Sequence, residues 1–256
     1  MRSFRVLFVY LFGISVLLTV AAPGRAADPV ELRLPEWAGL ATTHHGALEG
    51  PFVDMARRIA KRAGVDVVLE LVPPRRLPPR KPQPNLAVIY PQLVGAPAPR
   101  VRGRAVPIGP PMRVVCVRRF NSICPDAGAF GDMFVVAPIG LSVALQAALG
   151  GLTPSSTINS DVILDFLTLG RADAAIMLEH DFAHHMLDHG YVRSAFGPFR
   201  EVGSVRAILL TSEDLGRRGA ALAAAAVELD AKGALAAVAQ RYLRRRPESA
   251  DGRARD

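Results

Sequence analysis

The sequence predicts an α/β fold in two lobes, the second inserted into the first and the two joined by a pair of crossing segments. Three observations carry that expectation. Short apolar runs of strand length alternate with stretches whose apolar residues recur every three or four positions, the pattern of parallel sheets flanked by helices. The alternation restarts at Phe134, as a second α/β set would. A later run at 203–210 then returns the chain to the first set, matching an earlier run at 112–118.

The N-terminus sets the compartment. Met1 to Arg5 is basic, an apolar stretch follows to Ala22, and small residues surround Ala26, the layout of a cleaved secretory leader covering 1–26. The apolar stretch of about 17 residues is marginal for a retained membrane anchor. The leader has no cysteine for lipid attachment. The expected location is therefore the periplasm. Arg2, Arg5 and Arg25 leave with the leader, which takes the formal charge from +8 to +5. The lobes expected are 27–114, an inserted 115–203, and a return at 204–243, with a solvated basic tail at 244–256. Nucleic acid is excluded as a partner, because no aromatic platform accompanies the arginines.

The elements follow in order. Residues 30–35 (VELRLP) alternate as a first strand, and a loop at 36–49 holds Trp37, the one tryptophan, with the pair His44 and His45. Gly50-Pro51 opens a helix, since proline there gives up an N–H that has no helical partner. Phe52, Met55, Ala56, Ile59, Ala60 and Ala63 make one apolar face, and Gly64 ends it. A strand is expected at 65–71 and an extended connector at 73–84, where six prolines forbid a helix. Further strands are expected at 86–90 and 112–118, with a Pro-, Gly- and Arg-rich loop between them.

In the second set, 134–138 (FVVAP) reads as a strand, and Ser142 caps a helix VALQAAL. Asn159 or Ser160 caps another helix carrying Ile163, Phe166 and Leu167, which Gly170 stops. A strand at 172–178 leads into a helix at 180–189, whose apolar stripe is Phe182, Ala183, Met186 and Leu187. A strand at 204–210 and alanine-rich helices over 215–243, broken at Gly233, complete the chain. Cys116 and Cys124, eight residues apart, are either one disulfide or two separate buried thiols.

Four stretches in this order resemble the amino-acid-type periplasmic solute-binding proteins (extracellular solute-binding family 3, type II periplasmic-binding fold): EGPFVDMARRIAKRAGVDVVLELVPPRRL, PIGPPMRVVCVRR, VILDFLTLGRADAAIML and LAAAAVELDAKGALAAVAQRYL. The resemblance implies a ligand held in a cleft by closure of the lobes, and delivery to an ABC transporter. It places Arg76 from Pro-x-x-Arg, and Arg102 among Arg100, Arg102 and Arg104, at the ligand carboxylate, where a guanidinium fork suits two oxygens. It places Ser142 at a helix start beside the same anion, with Trp37 and Tyr90 against the ligand body. The family's acid for a ligand amino group would fall on Leu178, five after Asp173, with Glu179 one place later. That departure argues against an ordinary α-amino acid.

His180, His184, His185 and His189 share the 180–189 segment, at i, i+4 spacings that can hold a metal. His44, His45, His180 and His184 are the candidate set, against the plainer reading of solvated histidines. No Ser-x-Gly elbow, His-Glu-x-x-His or phosphate-gripping Gly loop is present. The expected function is non-enzymatic capture of a small anionic solute by a monomer without a cofactor, for a membrane transporter. The alternatives are an accessory protein serving a periplasmic partner and, third, a metal or metal-chelate binder.

Overall fold

The structure is a computed structural model and describes residues 28–37, 39–77, 84–94, 102–120, 122–126, 128–138, 141, 149, 151, 154–157 and 162–244. The expected leader, half of the proline connector, Ser142 with nearly all of its helix, the caps at 159–160 and the tail from 245 lie outside the described residues.

Strand β1 (Val30–Pro35) leads through a hairpin, β2 (Thr42–His44) and β3 (Ala47–Glu49), into helix α1 (Pro51–Ala63). The hairpin lies where a plain loop was expected; its turn uses His45 and Gly46 at positive φ. In α1, Pro51 sits in the first turn and Gly64 closes the end in the left-handed region, as the sequence predicts. Phe52, Met55, Ala56 and Ile59 are buried on its inner face. Burying a side chain of that size stabilises by about 1.5–3 kcal/mol.

Next come β4 (Val67–Val72), β5 (Leu86–Leu93) and the long β6 (Gly103–Val117). After these follow β7 (Val135–Pro138), β8 (Ser155–Thr157), α2 (Ile163–Thr168), β9 (Ala174–Leu178) and α3 (Glu179–Asp188). The chain returns through β10 (Arg200–Ser212) to α4 (Gly216–Ala231) and α5 (Ala234–Arg244). One eight-stranded sheet has the order β4-β1-β5-β10-β6-β9-β7-β8. β1 is parallel to β4 and β5, and β7 is parallel to β8 and β9. β6 and β10 run antiparallel between these two arms.

Both crossing strands are longer than expected. The Pro-, Gly- and Arg-rich stretch before residue 112 is part of β6, because a bulge absorbs Gly109, Pro110 and Pro111 opposite Arg206. Gly109 has φ +67, and its N–H donates to Asp230 of α4 at 2.7 Å. Arg206 donates to the Gly109 carbonyl at 2.8 Å and pairs with Asp230 at 2.7 Å. The bulge is thus pinned from both sides.

The main core runs through both arms, from Leu32, Phe52 and Ile89 to Val114 and Ile176. A second cluster joins Val115, Met177, Leu164, Phe182 and Phe196 under α2 and α3. Cys116 and Cys124 form a disulfide with their Cα atoms 6.0 Å apart, which decides between the two readings of that pair. Among the described residues no helix is long and apolar enough to cross a membrane.

Candidate functional site

The carboxyl end of β1 and the start of α3 meet across the crossing pair. β1 ends at Pro35 on one arm, and β9 passes into α3 at Glu179 on the other. The Trp37 indole donates to the Asp181 carboxyl at 2.6 Å, and both residues are buried. This bond joins residues 144 apart in sequence. Gly39 lies just behind it. A Cβ there would fall 2.9 Å from Asp181 Oδ1 and 3.0 Å from His180 Cδ2, and its φ of +78 disfavours any side chain. The close approach of loop and helix therefore depends on glycine.

Beside this contact stands a charged trio. Arg113 of β6 donates from Nη1 to both Glu179 oxygens at 3.1 Å and from Nε to Glu201 of β10 at 2.9 Å. The hydrogen bond that Arg113 donates to Glu201, and then the charge of Glu179, hold the guanidinium above its ordinary pKa. The imidazole of His180 is held below its ordinary value, because burial disfavours the imidazolium; a hydrogen bond to the Gly39 backbone offsets part of this, and the charge of His184 adds to it.

Two cavities flank His180. One, of about 150 Å³, lies beneath Phe52, Met55, Ile108 and Met112, with Arg113 and Glu179 at a corner. The other, of about 230 Å³, opens between Thr42, Glu49, His184 and Tyr242. The arrangement offers a mostly apolar, partly open pocket with one charged corner, where Arg113 is paired with Glu179.

No protein-family model matches the sequence, and no curated protein matches it. Solved structures do match. The substrate-binding protein of an amino acid ABC transporter aligns with a TM-score of 0.62, over 83% of this chain and 98% of its own, at 14% identity. The arginine-, lysine-, histidine-binding protein ArtJ of Geobacillus stearothermophilus gives 0.64 over 86% and 97%, at 13% identity. A histidine kinase sensor domain with similarity to periplasmic binding proteins gives 0.60 over 84% and 96%, at 14%. The chain has the two-lobed periplasmic-binding fold.

Within that fold the sequence-derived site residues divide. Trp37, Glu179, His180 and His184 come to the place where the arms meet. Trp37 is not an open platform there, since its ring is buried and its N–H is engaged. Glu179 faces Arg113 because the chain turns from strand to helix at Leu178, which overrides the strand alternation.

Arg102 does not come to this place. It is exposed at the outer start of β6, beside the pairing of Gly103 with Ser212, and ten residues of extended, bulged chain separate it from Arg113, roughly 30 Å. Arg104 is exposed at the same end. Arg76 is exposed in a 3₁₀ turn and lines neither cavity. Tyr90 is plain core: it packs with Leu86, Val88 and Leu210, its hydroxyl reaches Gln92 at 3.4 Å, and burial pushes its pKa up. Ser142 lies outside the described residues.

The metal set does not assemble either. His44 and His45 are exposed at the hairpin turn, their rings 4.1 Å apart, and among the described residues no three His, Cys, Asp or Glu side chains gather to hold a metal ion. The stripe of α3 also differs from expectation. Ala183 is exposed, while Asp181 and His185 are buried at i, i+4. Sequence reasoning missed Asp181, Arg113 and Met55. Arg113 left one signal, a lone charge inside an apolar strand.

Proposed function

We propose that the chain captures a small organic solute between its lobes, 27–114 with 204–243 on one side and 115–203 on the other. It acts in the periplasm without catalysis and serves a membrane transporter. The observation that carries this reading is the pocket at the meeting of the arms, where residues from the loop after β1 and from α1, β6, β10, α3 and α5 converge on one cavity. The neighbours' binding roles support it. The anionic solute expected from Arg76 and Arg102 is given up, because both side chains lie elsewhere and Arg113 already faces two carboxylates.

The test is a melting-temperature screen of the leader-free protein against small metabolites. A ligand at a hundred times its Kd stabilises by about 2.7 kcal/mol, which moves the transition by several degrees. At least one compound should do so, and Arg113→Ala should weaken the response.

One observation favours a second reading, in which the fold serves a periplasmic partner or a sensor. The Trp37–Asp181 bond joins the arms with side chains of the protein's own, and a retained fold does not require a retained ligand. A broad library that leaves the melting temperature unmoved, together with specific retention of one periplasmic protein on the immobilised chain, would select it.

A further inference from the structure

Resting on the solute-binding reading, we propose that the cavity beneath Met55 and Met112 takes a neutral compound whose apolar body is about one aromatic ring in size, not a charged amino acid. Ten of its thirteen lining residues are apolar, and the other three are Arg113, Glu179 and His180. The two charges among them, Arg113 and Glu179, cancel and are paired with each other. Glu201, which also accepts from Arg113, is half-exposed and outside the lining, and burial favours the neutral form of His180. A charged guest would have to break that pairing or enter without a counter-charge, whereas a neutral hydroxyl or amide needs only one acceptor or donor at the corner.

The size fits the same class. The volume is about 150 Å³, the scale at which a cavity lined by Leu, Ile and Phe accepts benzene. Its walls suit a flat ring, because Phe52 offers an edge or face and the unbranched Met55 and Met112 adjust their thioethers to the occupant. Met55 has such freedom over the bulge: its Cε sits 3.1 Å from where a Cβ on Gly109 would stand, a space left by the glycine.

Three monosubstituted benzenes separate body from charge. Benzyl alcohol, benzylamine and benzoate share a ring and differ in head group; arginine and lysine supply charge without a ring. Titration calorimetry on the leader-free protein should give saturable binding of benzyl alcohol at least tenfold tighter than of any of the other four. Ala239→Phe, on the half-buried face of α5 that lines the cavity, should abolish it while circular dichroism shows the fold kept. Met112→Trp gives a second filling variant from the strand side.

Tighter binding of arginine, lysine, benzylamine or benzoate overturns the proposed class and leaves solute capture standing. So does a metabolite hit in the wider screen with none of these five bound. Unchanged benzyl alcohol affinity in both filling variants overturns the site. Silence from every compound removes the solute-binding reading itself.

Discussion

Strand β6 has two ends with opposite characters. At its outer end Gly103, Arg104 and Ala105 are exposed and pair only with the last residues of β10. At its inner end Val114 to Val117 are fully buried, Cys116 is tied to Cys124, and Arg113 is gripped by Glu179 and Glu201. Arg102 and Arg113 are thus nearly one segment in sequence, yet one is a solvated charge and the other borders the pocket between the lobes. Position along a crossing strand, more than residue type, decides whether a guanidinium can meet a guest.

The largest expected effect lies beside the inner end. Trp37→Ala should destabilise by about 3–5 kcal/mol, the cost of removing a buried large aromatic, and lower the melting temperature by roughly ten degrees. Trp37→Phe keeps the packing and should cost about 1–3 kcal/mol, the cost of taking the indole donor from a buried acceptor. A Trp37→Ala loss under about 1 kcal/mol would show that the contact between the arms is not structural.

Replacing both Cys116 and Cys124 by serine should cost about 2–4 kcal/mol in denaturant unfolding. Gly39→Ala comes next, at about 1–3 kcal/mol, because a strained φ adds to the crowding by Asp181 and His180. If Gly39→Ala is silent, loop and helix do not approach as closely as the inner site requires.

His180 sharpens the comparison by pH. Its folded pKa lies below 6.5, so between the two values the unfolded chain binds more protons and stability falls as pH is lowered through the ordinary histidine range. The melting temperature should decline from pH 7 to 5, and His180→Gln should flatten part of that decline. An unchanged slope would mean that His180 titrates freely. The smallest effect belongs to the outer end: Arg102→Ala should change stability by less than about 0.5 kcal/mol and leave any solute response intact. Loss of the response in Arg102→Ala alone, with Arg113→Ala retaining it, would invert the comparison.

Much of the fold was legible. Helix α1 was marked by Pro51, its three-four periodicity and Gly64, all of which act within a few residues of one another. The break between α4 and α5 was marked by Gly233, whose φ is +69. The length of β6 was not legible, since Pro107, Gly109, Pro110 and Pro111 read as a loop until Asp230 and Arg206 hold the bulge. The short β8 left no pattern strong enough to separate it from coil.

The candidate site was read less well. Trp37, Glu179, His180 and His184 adjoin strand ends that meet between the arms, while Arg76, Arg102 and Tyr90, placed like Trp37 by the resemblance, sit elsewhere in the fold. Asp181 was hidden because a buried acid on an otherwise apolar helix face looks like a solvated one until its partner is known.

By itself the sequence determined where strands and helices start and stop and which faces are apolar, because periodicity, caps and breakers act over a few residues. Tertiary structure alone decided that Trp37 meets Asp181 across 144 residues, that Arg113 is compensated by Glu179 and Glu201, and that Arg102 stays in solvent. Those outcomes depend on distances between segments that no local pattern encodes, and a charge or an indole changes its role entirely with what the fold sets against it.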